Sequence, residues 1–114
     1  MGDAQKMFKE AQRWHYMVLD SSEVTITEPY NQRNKLYLYA SRNLIESGYD
    51  STKCSIDGVP FRAVDSTYNI SGPNGMALFL IGEIDIESLA RQLVIEGDYP
   101  DGTLVLAYYD EDGS

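Results

Sequence analysis

The sequence predicts a single α+β domain, in which an N-terminal helix packs on a small, mostly antiparallel sheet or partial barrel. Three observations lead to this fold class: an apolar stripe at helical spacing near the start, several short alternating strands, and a two-residue hairpin signal in the middle. The chain has 114 residues, of which 43% are hydrophobic. This length is close to the commonest size of one domain, so we expect one core over residues 1–114.

The N-terminal helix is predicted over residues 3–19. Apolar side chains recur there at helical spacing, and Asp3 lies where a carboxylate interacts favourably with the helix dipole. The stripe consists of Met7, Phe8, Ala11, Trp14, Met17 and Val18. A polar segment at residues 20–22 then ends the helix.

The following segments alternate between apolar and polar side chains, which is typical of strands with one buried face. Residues 23–27 and 35–40 are predicted to be strands, and residues 43–46 a short turn of helix. In the second strand, Tyr37 and Tyr39 share one face. These tyrosines are expected to lie either under a covering layer or in an interface.

The middle of the chain contains Asp57-Gly58, a two-residue hairpin signal. We expect it to join a strand around residues 54–56 to a second strand over residues 59–64. The next segment, residues 65–75, is irregular in composition and is predicted to be a long, mobile loop.

The last third begins with residues 76–81, which are almost wholly apolar and are predicted to form a central strand. Residues 94–95 are expected to be extended, and residues 103–109 form the last predicted strand. Residues 110–114 are predicted to be an acidic C-terminal tail.

The carboxylates Glu83, Asp85 and Glu87 alternate with isoleucines and raise the question of a metal site. On a strand, all three would share one face and could hold a divalent cation. Apolar side chains over residues 86–93 instead recur at helical spacing, which favours a short second helix. Asp85 would then be its N-cap and Glu87 would lie in its first turn. Residues two apart diverge on a helix, so no metal site is predicted.

The charge balance is strongly acidic, with 9 Lys plus Arg against 18 Asp plus Glu and a net charge of −9. Nucleic-acid binding depends on neutralising phosphates, so we expect neither sequence-specific nucleic-acid binding nor attraction to an anionic membrane. No apolar run of membrane-spanning length and no signal-peptide core is found in the sequence, which indicates synthesis in a cytoplasm.

Catalytic chemistry has little support in the sequence. His15 is the only histidine and follows Trp14, so a boundary position explains it better than a triad. Cys54 is the only cysteine, which rules out a disulfide within one chain and a cysteine-based zinc site. The run Gly72-Pro73-Asn74-Gly75 lacks the Lys-Ser/Thr of a phosphate loop and is interpreted as a turn. We therefore predict no catalytic, cofactor-binding or metal-binding residues and no cofactor.

Two stretches carry a resemblance to a known class of proteins: FKEAQRWHYMVLDSSEVTITEP near the start and ALFLIGEIDIESLARQLVIEGDYPDGTLVLAYYDEDG at the end. In its order of helix, strand, mobile loop, apolar strand and final hairpin, the chain resembles the small head–tail joining proteins of long-tailed bacteriophages. The resemblance implies a non-enzymatic component of the virion, made in the host cytoplasm. It also implies a homo-oligomeric ring that contacts portal and tail proteins through loops and termini.

The expected contact residues lie in the loop and at the C-terminal end. They are Tyr68, Asn69, Pro73, Asn74, Tyr108, Tyr109, Asp110, Glu111 and Asp112. The alternative hypothesis is a small acidic inhibitor or immunity protein, acting as a DNA mimic that blocks a basic surface of a nuclease or host-defence complex. Charge and size favour this alternative, and an enzyme is the least supported class.

Overall fold

A computed structural model describes residues 14–65, 69–87, 89 and 92–110 of the chain. Within these ranges the fold is mostly β, so the predicted α+β class is wrong. The strands are β1 Trp14–Leu19, β2 Glu23–Thr25, β3 Lys35–Ser41, β4 Cys54–Ile56, β5 Val59–Pro60, β6 Arg62–Ala63, β7 Asn69–Ser71, β8 Ala77–Asp85, β9 Gln92–Ile95 and β10 Leu104–Tyr109. The one α-helix of the described residues is α1, Arg42–Glu46, and short 3-10 turns lie at Tyr30–Gln32, Ser51–Lys53 and Pro73–Gly75.

The strands form two antiparallel sheets. The six-stranded sheet has the order β1-β10-β3-β8-β6, with β7 also paired to β8. The four-stranded sheet has the order β2-β9-β4-β5. Two corners link the sheets, because β1 continues into β2 through residues 20–22 and β5 continues into β6 through Phe61. The result is a sandwich of two sheets with one core between them.

The main core lies between the sheets, on what we call the inner face of the six-stranded sheet. Its most deeply buried aliphatic side chains come from both sheets and are at most 2% exposed. They include Leu36, Leu38, Leu104 and Leu106 from the six-stranded sheet and Ile56, Leu93 and Ile95 from the four-stranded sheet. Successive side chains of a strand point to opposite sides, so Tyr39, Val105 and Ala107 are buried on the outer face instead.

A β-bulge lets β8 serve both faces. The register of β3 on β8 shifts between Leu38 and Tyr39, which leaves Ile81 as an extra residue of β8. Before the shift β8 sends Leu78 to the outer cluster, and after it Ile84 joins the main core. Odd-numbered residues after the bulge therefore lie on the outer face.

The predicted N-terminal helix is wrong for residues 14–19, which form strand β1. Within β1, Trp14 and Tyr16 pack on the outer face, whereas Met17 and Leu19 pack in the main core. Both faces of the sheet are apolar here, so the alternation that marks a strand was hidden. Residues 3–13 lie outside the described residues.

The predicted second helix is also wrong for the described residues of the range 86–93, none of which is helical. Strand β8 runs through Asp85, so this residue is not a helix N-cap, and β9 begins at Gln92. The helical spacing joined Ile86 after β8 and Leu93 of β9, which both pack on the main core, with Leu89, which is 60% exposed. Asp85 instead pairs across the sheet with Lys35.

Other local predictions are confirmed. Strand β3, helix α1 and the β4–β5 hairpin lie where they were predicted. Asp57 and Gly58 have φ of 51° and 87°, which is the left-handed backbone that a two-residue hairpin turn requires. The predicted loop over residues 65–75 is more regular than expected, because Asn69–Ser71 pairs with β8.

Candidate functional site

The predicted contact residues fall at opposite ends of the six-stranded sheet. At one end, which we call the aromatic end, Tyr109 lies opposite Trp14 at the start of β1. At the other end, which we call the loop end, β7 and the turn at Pro73–Gly75 lead into β8. Strand β8 runs from one end to the other over 9 residues, and at ~3.3 Å per residue this separates the ends by roughly 25–30 Å.

The centre of the aromatic end is the ring of Tyr108, which is 4% exposed. His15 stacks on this ring at 4.7 Å between centroids and 12° between planes, and the Arg33 guanidinium lies 4.3 Å from the same centroid. Two groups this close to one ring must occupy its opposite faces. Tyr30 packs against Tyr108 edge-on at 4.9 Å. The ring is therefore enclosed and orders the end of β10.

Asp110 follows the last residue of β10 and is only 6% exposed. Its Oδ2 lies 3.8 Å from His15 Nε2. The carboxylate therefore points into the protein at this end of the sheet. A partner that binds here would contact the ring of Tyr109 and the exposed edge of His15 more readily than Asp110.

Tyr109 belongs to an aromatic cluster on the outer face. The Trp14 ring meets Tyr109, Tyr37 and Tyr39 edge-on, with centroids 5.1, 5.1 and 5.5 Å apart. Trp14, Tyr37 and Tyr109 remain half-buried. This surface combines fixed aromatic rings with partial solvent access, which is the character of many protein-binding surfaces.

A network of ion pairs adjoins the aromatic cluster. Glu83 and Asp85 project from the outer face of β8, between Lys35 of β3 and Arg62 of β6. Lys35 Nζ lies 3.5 Å from Glu83 and 3.9 Å from Asp85, and Arg62 lies 3.4 and 3.0 Å from the same two carboxylates. The two acidic charges are balanced by two basic ones. The sequence could not reveal this network, because its partners are joined only by strand register.

The described residues contain no group of three or more His, Cys, Asp or Glu side chains placed to hold a metal ion. Cys54 is 0% exposed, and burial raises the pKa of its thiol from 9.0 to about 12. A reactive cysteine requires a lowered pKa and solvent access. Cys54 is therefore a core residue and not a nucleophile.

The loop end is acidic. Two loops meet there, because the Ser22 hydroxyl donates to the Gly97 carbonyl at 3.4 Å and the Tyr99 hydroxyl donates to the Leu19 carbonyl. These loops and their edges carry five exposed carboxylates: Asp20, Glu23, Glu96, Asp98 and Asp101. In the part of the chain that the structure describes, no Lys or Arg forms an ion pair with any of them. Sequence reasoning missed this grouping, since it depends on contacts between distant loops.

The remaining predicted contact residues are placed as follows. Asn69 of β7 and Asn74 of the following turn are exposed at the loop end. Pro73 lies in the same turn. Tyr68, Glu111 and Asp112 lie outside the described residues. Two of the predicted segments are therefore brought to different ends of one sheet, and they do not form a single site.

No helix in the described ranges has the length and apolar character needed to cross a membrane. No family model, curated protein or solved structure gives a significant match to this chain.

Proposed function

We propose that the chain is a non-enzymatic protein that joins two other proteins, one at each end of the six-stranded sheet. The observation that carries the proposal is the separation of the predicted contact residues: Tyr109 lies at the aromatic end, whereas Asn69 and Asn74 lie at the loop end. A protein that bridges two partners requires surfaces on opposite sides. An inhibitor that covers one target requires only one.

The chemistry of the two ends supports two different partners. The aromatic end offers fixed rings and balanced ion pairs, whereas the loop end offers unbalanced carboxylates. Surfaces that differ in this way discriminate between partners, because the acidic loop end repels an acidic partner that the charge-balanced aromatic end does not repel.

In its most specific form the proposal is a head–tail connector of a long-tailed bacteriophage, located in the virion and arranged as a ring between portal and tail proteins. The resemblance loses two features, since β1 replaces the predicted helix over residues 14–19, and β9 and β10 lie in different sheets instead of forming the expected final hairpin. The placement of the predicted contact residues at opposite ends of the sheet supports a connector independently of that resemblance. A net charge of −9 is also compatible with a ring around DNA, because an acidic protein would not bind the DNA phosphates.

The test is size-exclusion chromatography with light scattering, on the protein alone and mixed with the products of the genes that flank its own. We expect complexes with two different neighbours. Tyr109→Ala should weaken one complex and Asn69→Lys the other, each leaving the second partner bound. Val59→Thr is the control, because Val59 is exposed on β5, away from both ends. Thermal melts of each variant separate lost binding from lost folding.

Binding of one neighbour only, or equal damage to both complexes by each variant, would overturn the bridging proposal. If the two partners are found but are not portal and tail proteins, the bridge stands and the phage assignment is wrong. A chain that stays monomeric and binds neither neighbour contradicts both.

The second candidate is the acidic inhibitor, and the unpaired carboxylates of the loop end favour it. It predicts a basic target, such as a nuclease, that is bound through this end alone and released by salt. The double substitution Glu96→Gln and Asp98→Asn should weaken that binding, whereas Asp65→Asn, another exposed carboxylate, should not. Inhibition of a purified nuclease by the unmodified chain, lost in the double variant, would favour this candidate over the bridge.

A further inference from the structure

Asn74 and Gly75 form an Asn-Gly pair in the turn that joins β7 to β8. Asn74 is exposed and has left-handed backbone, with φ 58° and ψ 26°. Gly75 is also exposed, with φ 73°. Apart from its chain neighbours, no heavy atom lies within 4 Å of where a Gly75 Cβ would be. Asn74 is exposed and no described residue forms a hydrogen bond with its side chain, so this amide is accessible to water.

We propose that Asn74 is a site of spontaneous deamidation. The deprotonated main-chain nitrogen of Gly75 attacks the side-chain amide carbon of Asn74, and the new C–N bond closes a five-membered succinimide ring. The bond from that carbon to the amide nitrogen breaks, and ammonia leaves. Water then opens the ring at either carbonyl, which gives aspartate or isoaspartate. Hydroxide and water are the only other reactants, and no oxidation takes place.

The residue after the asparagine decides how readily the ring closes. Gly75 has no side chain to obstruct the approach of its nitrogen, and it permits backbone conformations that other residues avoid. Asn31, Asn34, Asn43 and Asn69 are followed by glutamine, lysine, leucine and isoleucine. Their larger neighbours hinder the same attack, so Asn74 is the preferred asparagine among these.

Only a small local opening is needed for the reaction. The Gly75 nitrogen donates one hydrogen bond, to the Gly72 carbonyl at 3.2 Å, which is at the long end of the usual range. Asn74 must also rotate away from ψ 26° to bring its amide to the nitrogen. Both changes stay within the turn, whose outer closure is the 2.7 Å bond from Gly72 N to Met76 O.

Two Asp-Gly pairs serve as comparisons, because aspartate forms the same ring with loss of water. Asp57 Oδ1 accepts the Gln92 N–H at 2.9 Å, which holds the carboxylate against β9. In the second pair, Asp101-Gly102, the glycine is tightly packed, since a Cβ there would lie 2.6 Å from Leu44 Cγ. The fold therefore restrains both pairs and leaves Asn74-Gly75 open.

The two products differ in their effect on the fold. Aspartate adds one negative charge and is tolerated in left-handed backbone. Isoaspartate adds a methylene to the main chain, so the turn no longer has the length that places Ser71 opposite Ala77. We expect this product to loosen the pairing of β7 with β8.

The test is incubation of the full chain in mildly alkaline buffer, followed by ion-exchange chromatography and peptide mapping by mass spectrometry. We expect a species with one more negative charge, in which a hydroxyl replaces an amino group in the peptide containing Asn74. Asn74→Asp should elute with the aspartate product. Asn74→Gln should lose the new species, because a glutamine closes a larger ring far more slowly.

An isoaspartate methyltransferase assay on the incubated protein supplies a second readout and should label the peptide containing Asn74. The Asn74→Gln variant is compared with the unmodified chain by thermal melt, so a folding defect would be recognised. An unchanged peptide after prolonged incubation overturns the proposal. Conversion of Asn31, Asn34 or the Asp57 peptide at the same rate as Asn74 overturns the proposal too, because the open turn would then not increase the rate of ring closure at Asn74.

Discussion

The two faces of the six-stranded sheet bury different kinds of side chain. The inner face is mainly aliphatic, with Leu38 and Leu106 0% exposed beneath the second sheet, although the rings of Phe61 and Tyr108 are also buried there. The outer face is built from aromatic rings around Trp14 and from ion pairs around Glu83, and most of these groups stay half-buried. The inner face gains stability because its apolar surface area is removed from water. The outer face gains stability from edge-on contacts between rings and from ion pairs. This face remains accessible to a partner.

This difference separates folding from binding within one sheet. A dry aliphatic layer tolerates little change, because each lost methylene leaves a cavity. Edge-on rings and half-exposed ion pairs contribute less each, so they can change with smaller losses. We therefore expect stability to depend mainly on the inner face and partner recognition mainly on the outer face and the two ends.

The largest effect is expected for Leu106→Ala on the inner face. Leu106 lies between β1 and β3 in the middle of the sheet and is 0% exposed. Truncation should lower the free energy of unfolding by about 2–5 kcal/mol, from lost burial and the cavity left behind. Denaturant titration measures this loss. Leu89→Ala is the control, because Leu89 is 60% exposed and its truncation should change stability by less than about 0.5 kcal/mol. Equal losses would contradict the ranking of the sites.

Alkaline pH should reveal how dry the inner face is. Burial raises the pKa of Cys54 from 9.0 to about 12, and that of Tyr49 and Tyr30 from 10.0 to about 12. All three pack in the inner core. The unfolded chain releases these protons first, so stability is full below about pH 9 and falls as the pH rises towards 12.

The measurement is the melting temperature as a function of pH. For the unmodified chain, the decline should begin near the thiol's ordinary pKa. In Cys54→Ala the decline should begin later, near the ordinary pKa of tyrosine, because only the tyrosines then contribute. The two curves should differ most between these values. Coincident curves would show that the thiol is not held in a dry core.

The parts of the fold that the sequence predicted correctly are those with local causes. The hairpin at Asp57-Gly58 follows from left-handed backbone, and β3 follows from leucines alternating with tyrosines. The wrong helix at residues 14–19 has its own physical reason. Strand β1 is apolar on both faces, so its period of two was invisible, and a helical spacing that included Trp14, Met17 and Val18 took its place.

The candidate site was predictable only in part. Tyrosines and acidic residues suggested protein-binding chemistry. Asn69 and Asn74 are exposed and Tyr109 is half-buried, whereas Tyr108 and Asp110 of the same predicted set are buried. Their separation to opposite ends depends on strand order, which no local pattern contains. The pairing of Glu83 with Lys35 and Arg62 depends on register in the same way. Without that register, Asp85 and Glu87 were assigned to a helix start.

A smaller effect is expected for Tyr37→Leu on the outer face. The Tyr37 and Trp14 rings meet edge-on at 5.1 Å and 76°. Leucine keeps apolar volume but removes this contact, so stability should fall by about 0.5–1.5 kcal/mol. Tyr37→Phe is the matched control, because it keeps the ring and should retain most of the stability. Thermal melts and Trp14 fluorescence measure both. A larger loss in Tyr37→Phe would mean that the hydroxyl, and not the ring, stabilises this face.

The smallest effect is expected for Glu83→Gln in the ion-pair network. Glu83 lies within 3.5 Å of both Lys35 and Arg62, but all three side chains are partly exposed to water. The substitution should therefore cost no more than about 1 kcal/mol in low salt, and added salt should reduce that cost. Glu96→Gln at the loop end is the matched change, because Glu96 forms no ion pair with a described residue and belongs to a chain with a net charge of −9.

The two glutamine substitutions should have opposite signs. Removing Glu83 removes an attraction and lowers stability, whereas removing Glu96 removes a repulsion and should raise stability slightly. Salt should bring both variants closer to the unmodified chain, from opposite directions. Denaturant titrations at low and high ionic strength measure these four differences. If both variants lower stability alike, the loop-end carboxylates repel one another too weakly to matter for folding. The difference in charge balance between the outer face and the loop end would then make no difference to the free energy of unfolding.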